Sequence, residues 1–301
     1  MKDWEKILKA SLKQRWKRYR QALKSCQRTF SEKSVHSSRV ETRRLISLVE
    51  LLSVFLGQSH LKKVRRTLKR HLDAFDPLRD TQVQLLLIGK HRRQFPEAKA
   101  FYQALMKREE RALKAASRRI RRVNVRPLEK VFHRLARQLS HVRRDATQRT
   151  RHRNAVMNAV RDAFAKTVEF QRAMDPGSAE TIHRTRIAFK KFRYMVEALQ
   201  PLFSEVTAER LAAMQEFQSM LGEVQDTEVF LARLDKFTRD REARAKTLAR
   251  LRRWLLVRHT VQITYCLKHA DCLRDFWPLQ KPANGQVRLA SRGRRTTFKF
   301  K

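Results

Sequence analysis

The chain has 301 residues, with 70 Lys and Arg against 29 Asp and Glu, a formal net charge of +41. Hydrophobic residues make up 42%, enough to bury a core, which excludes a disordered basic tail. Only 6 Gly and 7 Pro occur, which argues against an all-β or loop-rich fold.

Apolar residues recur with the helical period in almost every window. The predicted helices run, in chain order, near 2–28, 34–56, 60–75, 77–91, 96–123, 127–172, 178–200, 207–221, 223–239 and 242–275. The stretch 127–172 is expected to break around 142–150. Asp175-Pro176-Gly177-Ser178 is the clearest stop signal, with Ser178 as N-cap of the next helix, and Ser34 is read as the cap of the helix carrying His36. Residues 279–301 hold seven basic residues and no acidic one, and read as a flexible basic tail.

The N-terminal run MKDWEKILKASLKQRWK is charged throughout and lacks the apolar core of a signal peptide. The longest apolar segment, Leu45 to Gly57, contains Glu50 and is too short to span a bilayer, so no membrane insertion is expected. Cys26, Cys266 and Cys272 form an odd, scattered set that points to a reducing, cytoplasmic compartment.

Two segments repeat. Residues 35–52, VHSSRVETRRLISLVELL, align without gaps with residues 182–199, IHRTRIAFKKFRYMVEAL. The pairs His36/His183, Arg39/Arg186, Val49/Val196, Glu50/Glu197 and Leu52/Leu199 are identical, and Arg43/Lys190 and Arg44/Lys191 keep their charge. At about 100° per residue, His183, Arg186, Lys190, Tyr194 and Glu197 share one face, and Phe189, Phe192, Met195, Val196 and Leu199 the other. The first copy places His36, Arg39, Arg43, Ser47 and Glu50 opposite Leu45, Leu48, Val49 and Leu52, with Ile46 and Ser47 standing where the second copy has Arg193 and Tyr194. A second element follows the same spacing: residues 75–85, FDPLRDTQVQL, match residues 221–231, LGEVQDTEVFL. Two ordered elements at nearly one offset imply an internal duplication and two helical bundles related by a pseudo-two-fold. The repeats would cover about 1–126 and 146–278, with about 127–145 as a bridge.

A basic stripe opposite an apolar face is ordinarily the solvated side of an amphipathic helix. The matching His, Arg and Glu in two copies favour a shared purpose, with the glutamates bracing an arginine one turn or more away. Asp80 and Asp226 read as structural carboxylates near the first turn of a helix, orienting stripe arginines, rather than as catalytic acids. The runs around Lys62–Arg70 and Arg108–Arg122 read as exposed surface. No glycine-rich phosphate loop, H-E-x-x-H or C-x-x-C occurs, so neither nucleotide cofactor nor zinc site is expected.

These four segments resemble the CHAD domain, the conserved-histidine α-helical domain, over roughly residues 5–275. The resemblance implies an all-α fold of two pseudo-two-fold-related antiparallel bundles with a basic central groove or pore. It also implies non-catalytic binding of inorganic polyphosphate, without cofactor, and association with polyphosphate granules. The binding residues carried over are His36, Arg39, Arg43 and Arg44 in one half and His183, Arg186, Lys190, Lys191 and Arg193 in the other. Glu50, Asp80, Tyr194, Glu197 and Asp226 are expected to support them. Arginine outnumbers lysine, as suits bidentate contacts to phosphate oxygens. The rival reading is a nucleic-acid-binding or nucleoid-associated protein, supported by the charge and the tail, but without a groove-reading motif.

Overall fold

The computed structural model describes residues 3–56, 58–141 and 146–277. They form ten α-helices: α1 (Trp4–Thr29), α2 (Glu32–Leu52), α3 (Gln58–Asp73), α4 (Asp76–Lys90), α5 (Lys99–Arg121), α6 (Arg126–His141), α7 (Ala146–Arg172), α8 (Ala179–Leu199), α9 (Ala208–Thr238) and α10 (Glu242–Lys268). Short 3₁₀ turns at Pro96–Ala98, Gln200–Leu202 and Ala270–Phe276 complete the described chain. The expected helix through 275 therefore ends at Lys268 and tightens into the last of these turns. The basic tail expected at 279–301 lies outside the described residues.

Local chemistry sets the boundaries. α1 stops at Phe30, which adopts φ 47° and returns its N–H to Cys26 O. α2 is capped by Ser31, whose hydroxyl accepts from the Ser34 N–H. The expected cap, Ser34, lies inside the first turn instead, because Ser31 reaches that N–H three residues earlier. Ser178 does occupy the N-cap position of α8, but its side chain makes no capping bond; the turn before it is closed by Asp175 Oδ1 accepting from the Gly177 N–H.

The largest departure from the sequence reading is α9. Gly222 was expected to separate two helices, yet α9 runs unbroken across it. In the first repeat the equivalent stretch is interrupted at Ala74 and Phe75, between α3 and α4. A glycine inside a helix costs about 1 kcal/mol relative to alanine. Here the missing side chain admits a neighbour: a Cβ on Gly222 would sit 3.2 Å from Arg186 Nε.

Helices adjacent in sequence pack as neighbours: α1 on α2, α2 on α3, α4 on α5, α7 on α8, α8 on α9 and α9 on α10. The two halves join where α2 packs on α8 and α4 on α9. One continuous apolar core runs from Trp4 to Phe276 and takes Leu45, Leu48 and Leu52 from the first half and Phe189, Phe192 and Phe217 from the second. A smaller core also mixes the halves, with Ile88, Phe101 and Leu105 against Phe230, Leu251 and Leu255. α6, expected as a bridge, buries Leu128, Phe132, Leu135 and Leu139. Phe132 stacks on Trp16 of α1 at 4.6 Å between ring centroids. Among the described residues no helix is long and apolar enough to cross a membrane.

Candidate functional site

The repeated helices meet as their periodicity dictates. Every residue assigned to the core face of α2 and α8 is at most 3% exposed. Their other faces, together with α4 and α9, line a cleft of about 710 Å³. α2 contributes His36, Arg39, Arg43 and Arg44; α8 contributes His183, Arg186, Lys190, Arg193 and Tyr194; α4 and α9 contribute Asp76, Arg79, Asp80, Gly222 and Asp226.

Arg44 and Lys191, Glu50 and Glu197 serve a different end. Arg44 Nη2 meets Glu197 Oε1 at 2.9 Å, and Lys191 Nζ meets Glu50 Oε2 at 3.5 Å. These are equivalent positions in the two copies, so each copy's cation binds the other's carboxylate, as an approximate two-fold between α2 and α8 requires. The glutamates were expected to brace arginines on their own helix; they brace neighbouring helices instead. Glu197 also accepts from Arg15 Nη2 of α1 at 2.9 Å, and Glu50 from Arg65 Nε of α3 at 2.5 Å. Arg15 carries no motif, but one signal marks it. It is a charged residue on the stripe formed by Leu8, Leu12 and Tyr19, where the period calls for a core residue.

Three cations of the lining are left without a contact pair. Arg43, Arg186 and Lys190 form no hydrogen bond or ion pair among the described residues, and the buried Arg186 Nε has no acceptor. Burial, then the nearby Arg43, Arg186, Arg39 and Arg193, pushes the Lys190 ammonium down to about 6. Burial, then Arg39, brings the Arg43 guanidinium to about 10. Such a cluster lowers its own energy by accepting an anion, whose charge replaces the water that burial removed.

The histidines flank this centre. Burial holds His36 and His183 below the ordinary imidazole value, which favours neutral rings at neutral pH. His183 Nδ1 is buried without a partner. Arg193 is engaged by Gln218, its Nε donating to Oε1 at 3.1 Å, and stacks 4.6 Å over the buried Tyr194 ring.

Burial raises the carboxyl groups of both Asp80 and Asp226. Asp80 follows the start of α4 as expected, but Asp226 lies in mid-helix because α9 is continuous, so no helix N-terminus acts on it. The carboxylate that binds a stripe arginine is Asp76, which accepts from Arg39 Nη1 at 2.6 Å. Alignment of the second repeated element was sufficient to place Asp76 near this site, four residues before Asp80.

This is an all-α protein whose duplicated helices face each other across a buried cluster of cations. Residues 10–235, more than half of the chain, match the family model of the CHAD domain, and the chain belongs to that family, one linked to polyphosphate binding in general. It is also similar in fold to the crystal structure of the CHAD domain from the plant Ricinus communis. The two share 18% identity at a TM-score of 0.65, over 90% of this chain and 92% of that one. No curated protein matches.

Proposed function

We propose that this protein binds inorganic polyphosphate without transforming it, in the cleft between α2 and α8, and resides in the cytoplasm on polyphosphate granules. Residues 1–278 act as one binding unit, with repeats at about 1–126 and 146–278. The observation that carries the reading is the trio of Arg43, Arg186 and Lys190, which makes no ion pair among the described residues, inside a cleft where Arg39 and Arg44 are paired and Asp226 lies within electrostatic reach of Arg186 and Lys190.

Polyphosphate is a thin, flexible chain of anions with no base edges to read. A lined cleft of about 710 Å³ suits it, whereas a DNA duplex is too broad to enter. The only tyrosine in the lining, Tyr194, is buried and offers no platform for base stacking. Arg43 and Arg186 supply planar forks for phosphate oxygens, Lys190 a point charge, and His36 and His183 neutral donors at the rim.

Competition tests this against the nucleic-acid reading. Long-chain polyphosphate is expected to displace duplex DNA from the full chain at equal phosphate concentration, well above physiological salt. Victory for DNA would refute polyphosphate as the main ligand. The combined changes Arg39→Glu, Arg43→Glu, Arg186→Glu and Lys190→Glu should weaken polyphosphate binding far more than reversal of Arg288, Arg292, Arg294 and Arg295. Equal losses would mean diffuse charge attraction.

A further inference from the structure

The two copies of the cleft wall differ at one position that decides the fate of an arginine. Arg39 and Arg186 are equivalent, and the residues facing them, Asp76 and Gly222, are equivalent as well. Arg39 gives its Nη1 to Asp76 at 2.6 Å and to Leu72 O at 3.3 Å. Arg186 lies against the bare Cα of Gly222 and gives its guanidinium to nothing. Identical arginines are therefore ion-paired in contact in one copy and left without a contact pair in the other.

We propose that the cleft is polarised: its α8–α9 side forms the primary subsite for a phosphoryl group, and Asp76 acts as a built-in competitor that phosphate must displace to reach Arg39. This rests on the reading of the cleft as a polyphosphate site. The remaining differences between the copies fit it. The second copy has Arg193 where the first has Ile46. The first copy has Arg79 where the second has Gln225, but Arg79 is paired with Glu32 at 3.3 Å. Asp80 and Asp226 occupy equivalent positions, each within electrostatic reach of its own copy's arginine, Asp80 of Arg39 and Asp226 of Arg186, so Asp76 is the carboxylate that distinguishes the copies. Glu223, the other carboxylate of the lining, turns to α10, where Arg258 Nη2 lies 4.0 Å from its Oε2.

The consequence concerns chain length. A short oligophosphate, with too few charges to span the cleft, settles on Arg186, Lys190 and Arg43. A longer chain continues to Arg39 only by pushing Asp76 aside, and the expelled carboxylate then repels the phosphate. Asp76 therefore lowers affinity at one end and makes that end the last to fill.

The experiment moves the carboxylate between copies at constant net charge, in the double variant Asp76→Gly with Gly222→Asp, and reads triphosphate binding to the full chain. In the native background Arg186→Gln is expected to weaken triphosphate binding roughly tenfold more than Arg39→Gln. In the swapped background the order should reverse. Gly222→Ala adds the Cβ without the charge and separates crowding from neutralisation. Should the swapped chain fail to fold, Asp76→Asn alone carries the test. It should tighten triphosphate binding several-fold and raise the loss on Arg39→Gln. Equal losses for Arg39→Gln and Arg186→Gln in the native background, with long-chain polyphosphate still bound, would overturn the polarity and leave the proposed function standing. Failure of the native protein to bind long-chain polyphosphate would overturn both.

Discussion

Polyphosphate binding by this cleft is expected to draw in a proton. In the free protein the Lys190 ammonium titrates at about 6, so at pH 7.5 only about 3% of molecules carry its charge. A phosphate chain beside it supplies the counter-charge that its arginine neighbours deny it. A lysine in contact with phosphate titrates again toward its reference value of about 10.4. The complex then holds about 0.9–1 proton more than its separated parts. Calorimetry at pH 7.5 in buffers of differing ionisation enthalpy reads this number as a slope. His36 and His183, also held below their ordinary value by burial, add a smaller share. Lys190→Met should bind more weakly and take up only that smaller histidine share. Intact binding by the native chain with no proton uptake would refute the reasoning, as would unchanged uptake by Lys190→Met.

Three further outcomes are expected. The unfolded chain holds the Lys190 proton up to about 10.5 and the folded chain only to about 6, so this group's penalty on stability is full below pH 6 and fades as pH rises to 10.5. Lys190→Met should then gain roughly 2–4 kcal/mol at pH 7 and less than about 1 kcal/mol at pH 10, measured by urea unfolding; an equal gain at both would refute the linkage. Glu197→Gln removes one carboxylate from Arg44, which keeps Glu41 at 2.6 Å, and the close one from Arg15, and should cost about 2–3 kcal/mol in the same assay, because Arg15 is buried and keeps only the longer contact to Glu41 at 3.8 Å; a loss below about 0.5 kcal/mol would show the network idle. Arg44→Gln and Lys191→Gln should each weaken polyphosphate binding less than Arg43→Gln or Arg186→Gln, since their charges are already answered by glutamates; isothermal titration of the four variants checks the ranking.

The helical architecture was legible because the apolar period is strong: every residue assigned to the core face of α2 and α8 is buried. The repeat also placed His36, Arg39, Arg43, His183, Arg186 and Lys190 on one lining. What sequence could not supply was pairing across helices. Arg43 and Arg44 are adjacent, equally charged and both line the cleft, yet a rotation of about 100° leaves one without a contact pair and ties the other to Glu41 and Glu197. Gly222 misled for a related reason. Read locally it is a helix breaker; read against Arg186 it is the space a guanidinium occupies. Arg15 stood out as a charge on an apolar stripe, but its pairing was hidden because its partners lie 182 and 26 residues away, at Glu197 and Glu41.

The mixed cores described above bear on what can be lost separately. Leu45 and Leu48 belong to one copy and Phe189 and Phe192 to the other, yet all share one apolar cluster, and Ser11 Oγ of the first half donates to Ala198 O of the second at 2.7 Å. The two copies are units of sequence without being units of folding. Damage to either one reaches both walls of the cleft, so a destabilised variant loses the two walls together in a single cooperative step.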